Sequence, residues 1–191
     1  QGNPWQKNTK DSVGEFPYSI RTNRYRYNLF IMYDPVYWLN VTMGGEAYRD
    51  VATKPNDQLF YKDSTRHVVY NNYAPYMQLL AKTKYAILTV GARYDYNKVY
   101  GGALNPRIGI TKKLGNVNFK LLYAASYKSP SIENIQLSSG KAILPEQSNT
   151  FEFETGLQIK RNMYFTASLF DISTKNFIRY YITIDPATNE V

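Results

Sequence analysis

The sequence contains no cysteine and only one histidine, His67. The missing cysteines exclude a disulfide framework and any metal site built on thiolates. A single histidine in the polar stretch 64–67 does not supply a catalytic triad or a histidine-based metal centre, and we expect it to be a surface residue. The sequence therefore predicts no catalytic residue, no metal and no cofactor.

Long hydrophobic runs are also missing, although 43% of the residues are hydrophobic. No stretch approaches the roughly 18 apolar residues that a membrane-spanning helix needs, so a helical membrane protein is excluded. No segment of useful length has a helical period either. A membrane β-barrel is compatible with these features, because its strands are only about ten residues long and half apolar.

Aromatic residues and positive charge are plentiful. The chain has 19 tyrosines, 9 phenylalanines and 2 tryptophans, which suit β-structure and also the aromatic girdles of membrane barrels. Its formal net charge is +8, but the lysines and arginines are scattered through turns and polar faces. We interpret them as ordinary surface charge and predict no nucleic-acid partner.

Alternation of apolar and polar residues is the main pattern in the chain, and it predicts an all-β protein. A ninth strand is expected to begin near Phe177. The eight period-2 runs that predict the other strands cover residues 24–33, 38–48, 68–81, 85–95, 106–113, 116–127, 150–160 and 163–173.

The connections between these strands alternate in length. Residues 34–37, 82–84, 113–116 and 160–162 are short, whereas residues 49–67, 96–105, 128–149 and those from 174 onward are long and polar. This order places the tight turns at one end of an antiparallel up-and-down barrel, as in outer-membrane barrels. Soluble lipocalin-like barrels have the same strand order, and alternation alone does not separate the two classes.

One face of the predicted strands is apolar, whereas the other carries charge in mid-strand. In a membrane barrel the charged face lines a wet lumen and tyrosines lie near the strand ends. Glu152 and Glu154 are also spaced like the acid and base of a glycosidase, but we interpret them as lumen residues that pair with neighbouring cations. The lumen-facing candidates are Glu46, Arg93, Lys120, Glu152 and Glu154.

Six ordered segments resemble the TonB-dependent outer-membrane receptors. Residues 105–110, the tight turn after them and the aromatic-rich residues 119–130 are similar to two adjacent strands of that family. Residues 144–152, LPEQSNTFE, resemble its "L.PE.S..YE.G" signature, with Gly156 in the expected place, although Phe151 stands where tyrosine is common. Segments 44–48, 91–95 and 169–178 resemble three further strands in the right order.

The resemblance implies a transmembrane barrel of about 22 strands, of which this chain holds about eight or nine, with residues 1–191 in a single barrel domain. It implies a receptor in the Gram-negative outer membrane that imports an iron-siderophore, haem, cobalamin or glycan and is not an enzyme. The expected partners are outer-membrane lipid, lipopolysaccharide, a small-molecule or glycan ligand, and TonB. A plug domain and a TonB-contact segment are expected in the parent, outside this chain.

Ligand contacts are expected from the long loops, where the candidates are Tyr61, Tyr96, Lys98 and Tyr100. Two other classes remain open at this stage. One is a self-contained eight-stranded outer-membrane barrel with an adhesive or structural role. The other is a soluble β-barrel that binds a lipophilic ligand in its interior.

Overall fold

The computed structural model describes residues 20–54, 65–138 and 143–179. These residues form one sheet in which each strand pairs antiparallel with the next strand along the chain. This order confirms the predicted all-β, up-and-down fold. The elements are β1 (Arg21–Val36), β2 (Leu39–Thr53), β3 (His67–Lys82), β4 (Ile87–Asn97), β5 (Gly101–Leu114), β6 (Val117–Lys128), α1 (Ile132–Leu137), β7 (Glu146–Lys160) and β8 (Met163–Lys175).

Four tight turns lie at one end of the sheet, as predicted. They are residues 37–38, 83–86, 115–116 and 161–162. Gly115 has φ +57°, a conformation that glycine adopts without steric cost. We call this end the tight-turn end and the opposite end the loop end.

The predicted long loop at 96–105 is wrong. Strand β4 continues to Asn97 and β5 begins at Gly101, so only residues 98–100 connect them. The Asn97 side chain accepts a hydrogen bond from the Val99 backbone N–H at 2.7 Å, and Gly101 has φ +83°. These two features close a tight connection. The predicted ninth strand is not seen at residues 177–179, and its remainder lies outside the described residues.

The two faces of the sheet differ in chemistry and in shape. Polar-face residues from β1 through β6 line one common cavity of about 890 Å³, so the sheet curves toward this face, which we call the concave face. The opposite convex face is mainly apolar and exposed. Leu29 and Leu169 on that face are 81% and 74% exposed, which is unusual for a surface that contacts only water.

The described part of the sheet is open. Its strand order runs from β1 to β8 without a pairing between those two strands, and every residue of both edge strands is exposed. An unpaired edge strand presents free backbone donors and acceptors to another strand. Within residues 20–54, 65–138 and 143–179, no helix has the length and apolarity to cross a membrane.

Helix α1 belongs to the connection between β6 and β7, which folds over the loop end of the concave face. Ile135 is 1% exposed and joins a small apolar cluster with Tyr70 and Tyr100. The Gln136 amide nitrogen donates a hydrogen bond to the Tyr70 hydroxyl at 3.0 Å. The helix was not predicted, because its six residues are too few to show a period of 3.6.

Tyrosine rings cover two glycines on the concave face. A Cβ atom added at Gly44 would lie 2.6 Å from the Tyr76 ring and 2.7 Å from the Leu29 carbonyl oxygen, and one added at Gly156 would collide with Tyr164. A ring laid over a glycine protects backbone that lacks its own side chain. Close packing therefore requires glycine at position 44, where the added atom would also meet backbone.

Candidate functional site

A ladder of ion pairs crosses the concave face. Arg24 on β1 donates two hydrogen bonds to the Asp50 carboxylate on β2, at 2.5 and 2.8 Å. Arg26 on β1 donates to Glu46 on β2 at 2.7 Å. Both pairs join neighbouring strands. Such charge-assisted hydrogen bonds are stronger than hydrogen bonds between neutral groups.

Glu46 also connects to a strand that is not its neighbour. Arg93 on β4 donates to Glu46 on β2 at 3.3 Å, and its guanidinium also lies 2.8 Å from Asp95. Strand β3 lies between them, and its residue opposite Glu46 is Ala74. A methyl side chain leaves room for the arginine to cross, so Glu46 bridges Arg26 and Arg93.

Two of the three carboxylates of this ladder are buried although the cavity is open. Glu46 and Asp95 are 6% and 4% exposed. Asp95 accepts an additional hydrogen bond from the Asn105 side chain on β5 at 2.9 Å. The ladder thereby links β1, β2, β4 and β5 and fixes the shape of the cavity wall, because each buried charge is paired and hydrogen-bonded.

One arginine that lines the cavity has no ion-pair partner among the described residues. Arg107 on β5 lies between Gly91 and Ala124 in the strand register. It lines the cavity and is exposed, and it forms no ion pair with any residue that the structure describes. The wall therefore offers a cation with small neighbours, an arrangement that suits a negatively charged group.

A separate ion pair lies farther along the concave face. The Lys120 ammonium on β6 donates to the Glu152 carboxylate on β7 at 2.9 Å. Glu154, two residues along β7, lies opposite Lys120 in the register but makes no salt bridge within the described ranges. Glu152 is thus paired with a cation on the neighbouring strand. The sequence predicts this kind of pairing for Glu152 and Glu154.

A cluster of hydroxyl and amide groups lies at the loop end of the concave face. Tyr100, in the connection between β4 and β5, is 7% exposed and donates its hydroxyl hydrogen to the Asn72 side chain. Burial raises its pKa, and the hydroxyl groups of Tyr48, Tyr127 and Ser129 lie close by. The tyrosine is therefore a neutral, fixed part of the wall.

The predicted ligand contacts fall in different environments. Tyr96 lies in β4 opposite Tyr73 on the convex face, Lys98 is exposed in the connection after β4, and Tyr100 is buried. Tyr61 lies outside the described residues. His67, expected at the surface, is the first residue of β3 and is exposed.

Sequence reasoning missed several members of the wall. Two sequence signals point to them: a position on the polar face of a strand and an opposite charge on the next strand. Which side chains form ion pairs, however, depends on the register between the strands. Among the described residues, no group of three or more histidine and acidic side chains could hold a metal ion. The missed residues are Arg24, Arg26, Asp50, Asp95, Asn105 and Arg107.

An antiparallel meander with an apolar convex face, a polar concave face and two open edges defines the class of protein, a segment of membrane β-barrel wall. The family model described as "TonB dependent receptor-like, beta-barrel" matches residues 2–190. The chain belongs to this family, which confirms the resemblance seen in the sequence.

Solved structures show the same fold. The ferric enterobactin receptor PfeA from Pseudomonas aeruginosa, in a mutant form, has a TM-score of 0.71 at 14% identity, covering 86% of this chain and 28% of that chain. The siderophore receptor PirA from the same organism has a TM-score of 0.63 at 16% identity, covering 80% and 31%. PirA from Acinetobacter baumannii gives 0.65 at 17% identity, covering 86% and 29%.

This chain therefore spans less than a third of the length of each of these receptors. A search of curated protein sequences found no match.

Proposed function

We propose that residues 1–191 are part of the single barrel domain of a TonB-dependent receptor in the outer membrane of a Gram-negative bacterium. The convex face is the lipid-facing side and the concave face lines the lumen. Family membership supports this assignment, and the apolar exposure of one face supports the orientation. Glu46, Arg93, Lys120, Glu152 and Glu154 are then lumen residues.

The ligand we propose is an anionic iron chelate of the siderophore class. The observation that carries this proposal is the cavity of about 890 Å³ with Arg107 directed into it and no described acid to neutralise it. Family neighbours include a PfeA structure in complex with enterobactin and two siderophore receptors. Haem, cobalamin and glycans are the competing ligand classes.

The mechanism is binding followed by gated passage, without a chemical step by these strands. Ion pairs between strands hold the wall rigid, so the ligand meets a fixed arrangement of charge. Lys98, exposed at the loop end, is placed to meet a ligand arriving from outside. Energy input through TonB, and contacts with lipid and lipopolysaccharide, belong to the intact receptor.

The open edges argue against the two other classes. A self-contained eight-stranded barrel and a soluble barrel both require closure of the sheet, since closure is what removes the strand edges. Strands β1 and β8 are exposed along their whole lengths. Further strands of the receptor are the natural partners of these edges.

The test is ligand binding by the intact receptor that contains this chain, measured by fluorescence titration with a ferric siderophore, haem, cobalamin and an oligosaccharide. We expect the ferric siderophore alone to bind tightly, and Arg107→Gln to weaken it roughly tenfold through loss of a charge-assisted hydrogen bond. The matched control is Arg49→Gln, which removes the same charge from an exposed residue of the opposite, convex face. Tight binding of cobalamin or a glycan instead would contradict the proposed ligand class.

A further inference from the structure

The tight-turn end of the sheet carries an unusual excess of positive charge. Within residues 34–38, 82–87, 111–117 and 158–163 there is one acidic residue, Asp34, and its carboxylate already accepts a hydrogen bond from Asn40 at 2.7 Å. None of the cations forms an ion pair with a described residue. They are Lys82, Lys84, Lys112, Lys113, Lys160 and Arg161.

Two of these cations converge on one aromatic ring. The Lys84 ammonium lies 4.9 Å from the centroid of the Tyr85 ring, and the Lys112 ammonium lies 5.9 Å from the same centroid. Tyr85 is 67% exposed. The ring face attracts both ammonium groups, but it carries no net charge that would offset their mutual repulsion. An anion between them would do so.

This cluster sits at the border of the apolar convex face. Lys112 is two residues beyond Ile110 on the same side of β5, about 7 Å farther along the strand, and it lies opposite Phe119 on β6. Ile110 in turn lies opposite Leu88 and Leu121. The two lysines and the tyrosine therefore occupy the level at which a membrane's apolar layer gives way to its headgroups.

We propose that Lys84, Lys112 and Tyr85 form a binding site for the phosphate group of an anionic phospholipid in the membrane leaflet at the tight-turn end. The lysines supply charge and hydrogen-bond donors to the phosphate oxygens, and the adjacent apolar face receives the acyl chains. A lipid is favoured over a soluble anion because the two lysines lie next to an apolar surface. This inference rests on the proposed function, which places the convex face in lipid.

The test uses the intact receptor in nanodiscs with equal amounts of phosphatidylglycerol and phosphatidylcholine, followed by native mass spectrometry of the lipids retained. We expect phosphatidylglycerol to be retained preferentially. Each cation near an anionic surface contributes roughly a fivefold preference, so the double variant Lys84→Gln/Lys112→Gln should lose roughly 25-fold. Adding inorganic phosphate should not displace the lipid.

The matched control is the double variant Lys82→Gln/Lys113→Gln. It removes the same charge from the same end of the sheet, but Lys82 and Lys113 share the strand parity of the concave face. Retention of the preference in this control supports a defined site. An equal loss in both double variants would overturn the site in favour of a diffuse charge effect, and release by inorganic phosphate would overturn the lipid as its ligand.

Failure of the proposed function has a separate readout. A receptor that does not remain in the bilayer after high-salt and alkaline washing would contradict the membrane barrel itself. If the receptor remains inserted but retains both lipids equally, only the proposed phospholipid site is overturned. The partner of these cations would then be an acidic protein surface.

Discussion

The carboxylate of Glu46 lies 2.7 Å from a guanidinium nitrogen of Arg26 on the neighbouring strand, and only 5% of the Glu46 side chain is exposed. The same carboxylate accepts a hydrogen bond from Arg93, two strands away in the opposite direction. Glu46 is thus the shared acceptor of a ladder that spans the cavity wall. The buried, doubly paired carboxylate fixes which face of the sheet each side chain of this strand occupies. A register slip of one residue would move the charge to the apolar face.

Replacing Glu46 by glutamine should destabilise the receptor. Arg26 and Arg93 would lose their shared counter-charge, but the Arg26 side chain is 60% exposed, so water compensates part of the loss. We expect about 1–2 kcal/mol in the free energy of unfolding in denaturant titrations of vesicle-embedded receptor. The control Glu154→Gln removes a carboxylate that makes no described ion pair and should change much less. Equal effects would contradict the ladder.

Gly44→Ala should destabilise the receptor, whereas Gly45→Ala should not. The added Cβ at Gly44 would meet both the Tyr76 ring and the Leu29 carbonyl oxygen, while a Cβ at Gly45 would meet nothing within 4 Å. Overpacking of this kind costs about 1–3 kcal/mol. The two variants add the same methyl group to adjacent residues of one strand, so thermal unfolding compares space alone. Matching melting temperatures would show that Tyr76 moves aside freely.

Ile135→Ala should loosen the connection between β6 and β7. Ile135 is 1% exposed and holds helix α1 against Tyr70 and Tyr100, so its truncation removes apolar burial and leaves a cavity. We expect faster hydrogen exchange in residues 131–138 and unchanged exchange in β6 and β7. Unchanged exchange in the helix would mean that the Gln136–Tyr70 hydrogen bond is enough to hold it.

Tyr100 should make the receptor sensitive to high pH. Burial raises its pKa above the ordinary tyrosine value of about 10, so the folded state holds this proton more tightly than the unfolded state. The resulting stability is complete below about pH 10 and is lost as the pH rises toward the folded-state pKa. Tyr100→Phe should flatten this alkaline loss, whereas Tyr37→Phe, at a side chain that is 98% exposed, should not. A slope that is identical in wild type and Tyr100→Phe would assign the loss to other groups.

Alternation in the sequence was enough to predict the eight strands and the tight-turn end, because a period of two depends only on neighbours along the chain. The predicted loop at 96–105 is wrong because polar residues also occur within strands, and Asn97 and Gly101 carry the signal for a tight turn. The contact between Glu46 and Arg93 could not be predicted. It depends on register and on Ala74, a small residue on the strand between them.

The edge strands show the other limit of the sequence. In β1, Tyr25 and Tyr27 alternate with polar residues in the same way as residues of a central strand. Nothing in that pattern says that the strand lacks a partner on one side. The open edge became visible only from the pairing of the strands.

The most direct test of the central claim uses the absence of cysteine from this chain. Single cysteines are placed along β3 and β8 of the receptor in lipid vesicles, carrying spin labels whose relaxation by oxygen and by a water-soluble nickel complex is measured. We predict a strict period of two, with Met77 and Leu169 in lipid and Gln78 and Ser168 in water. Exposure of both sets to the nickel complex would contradict a membrane wall with a wet concave face.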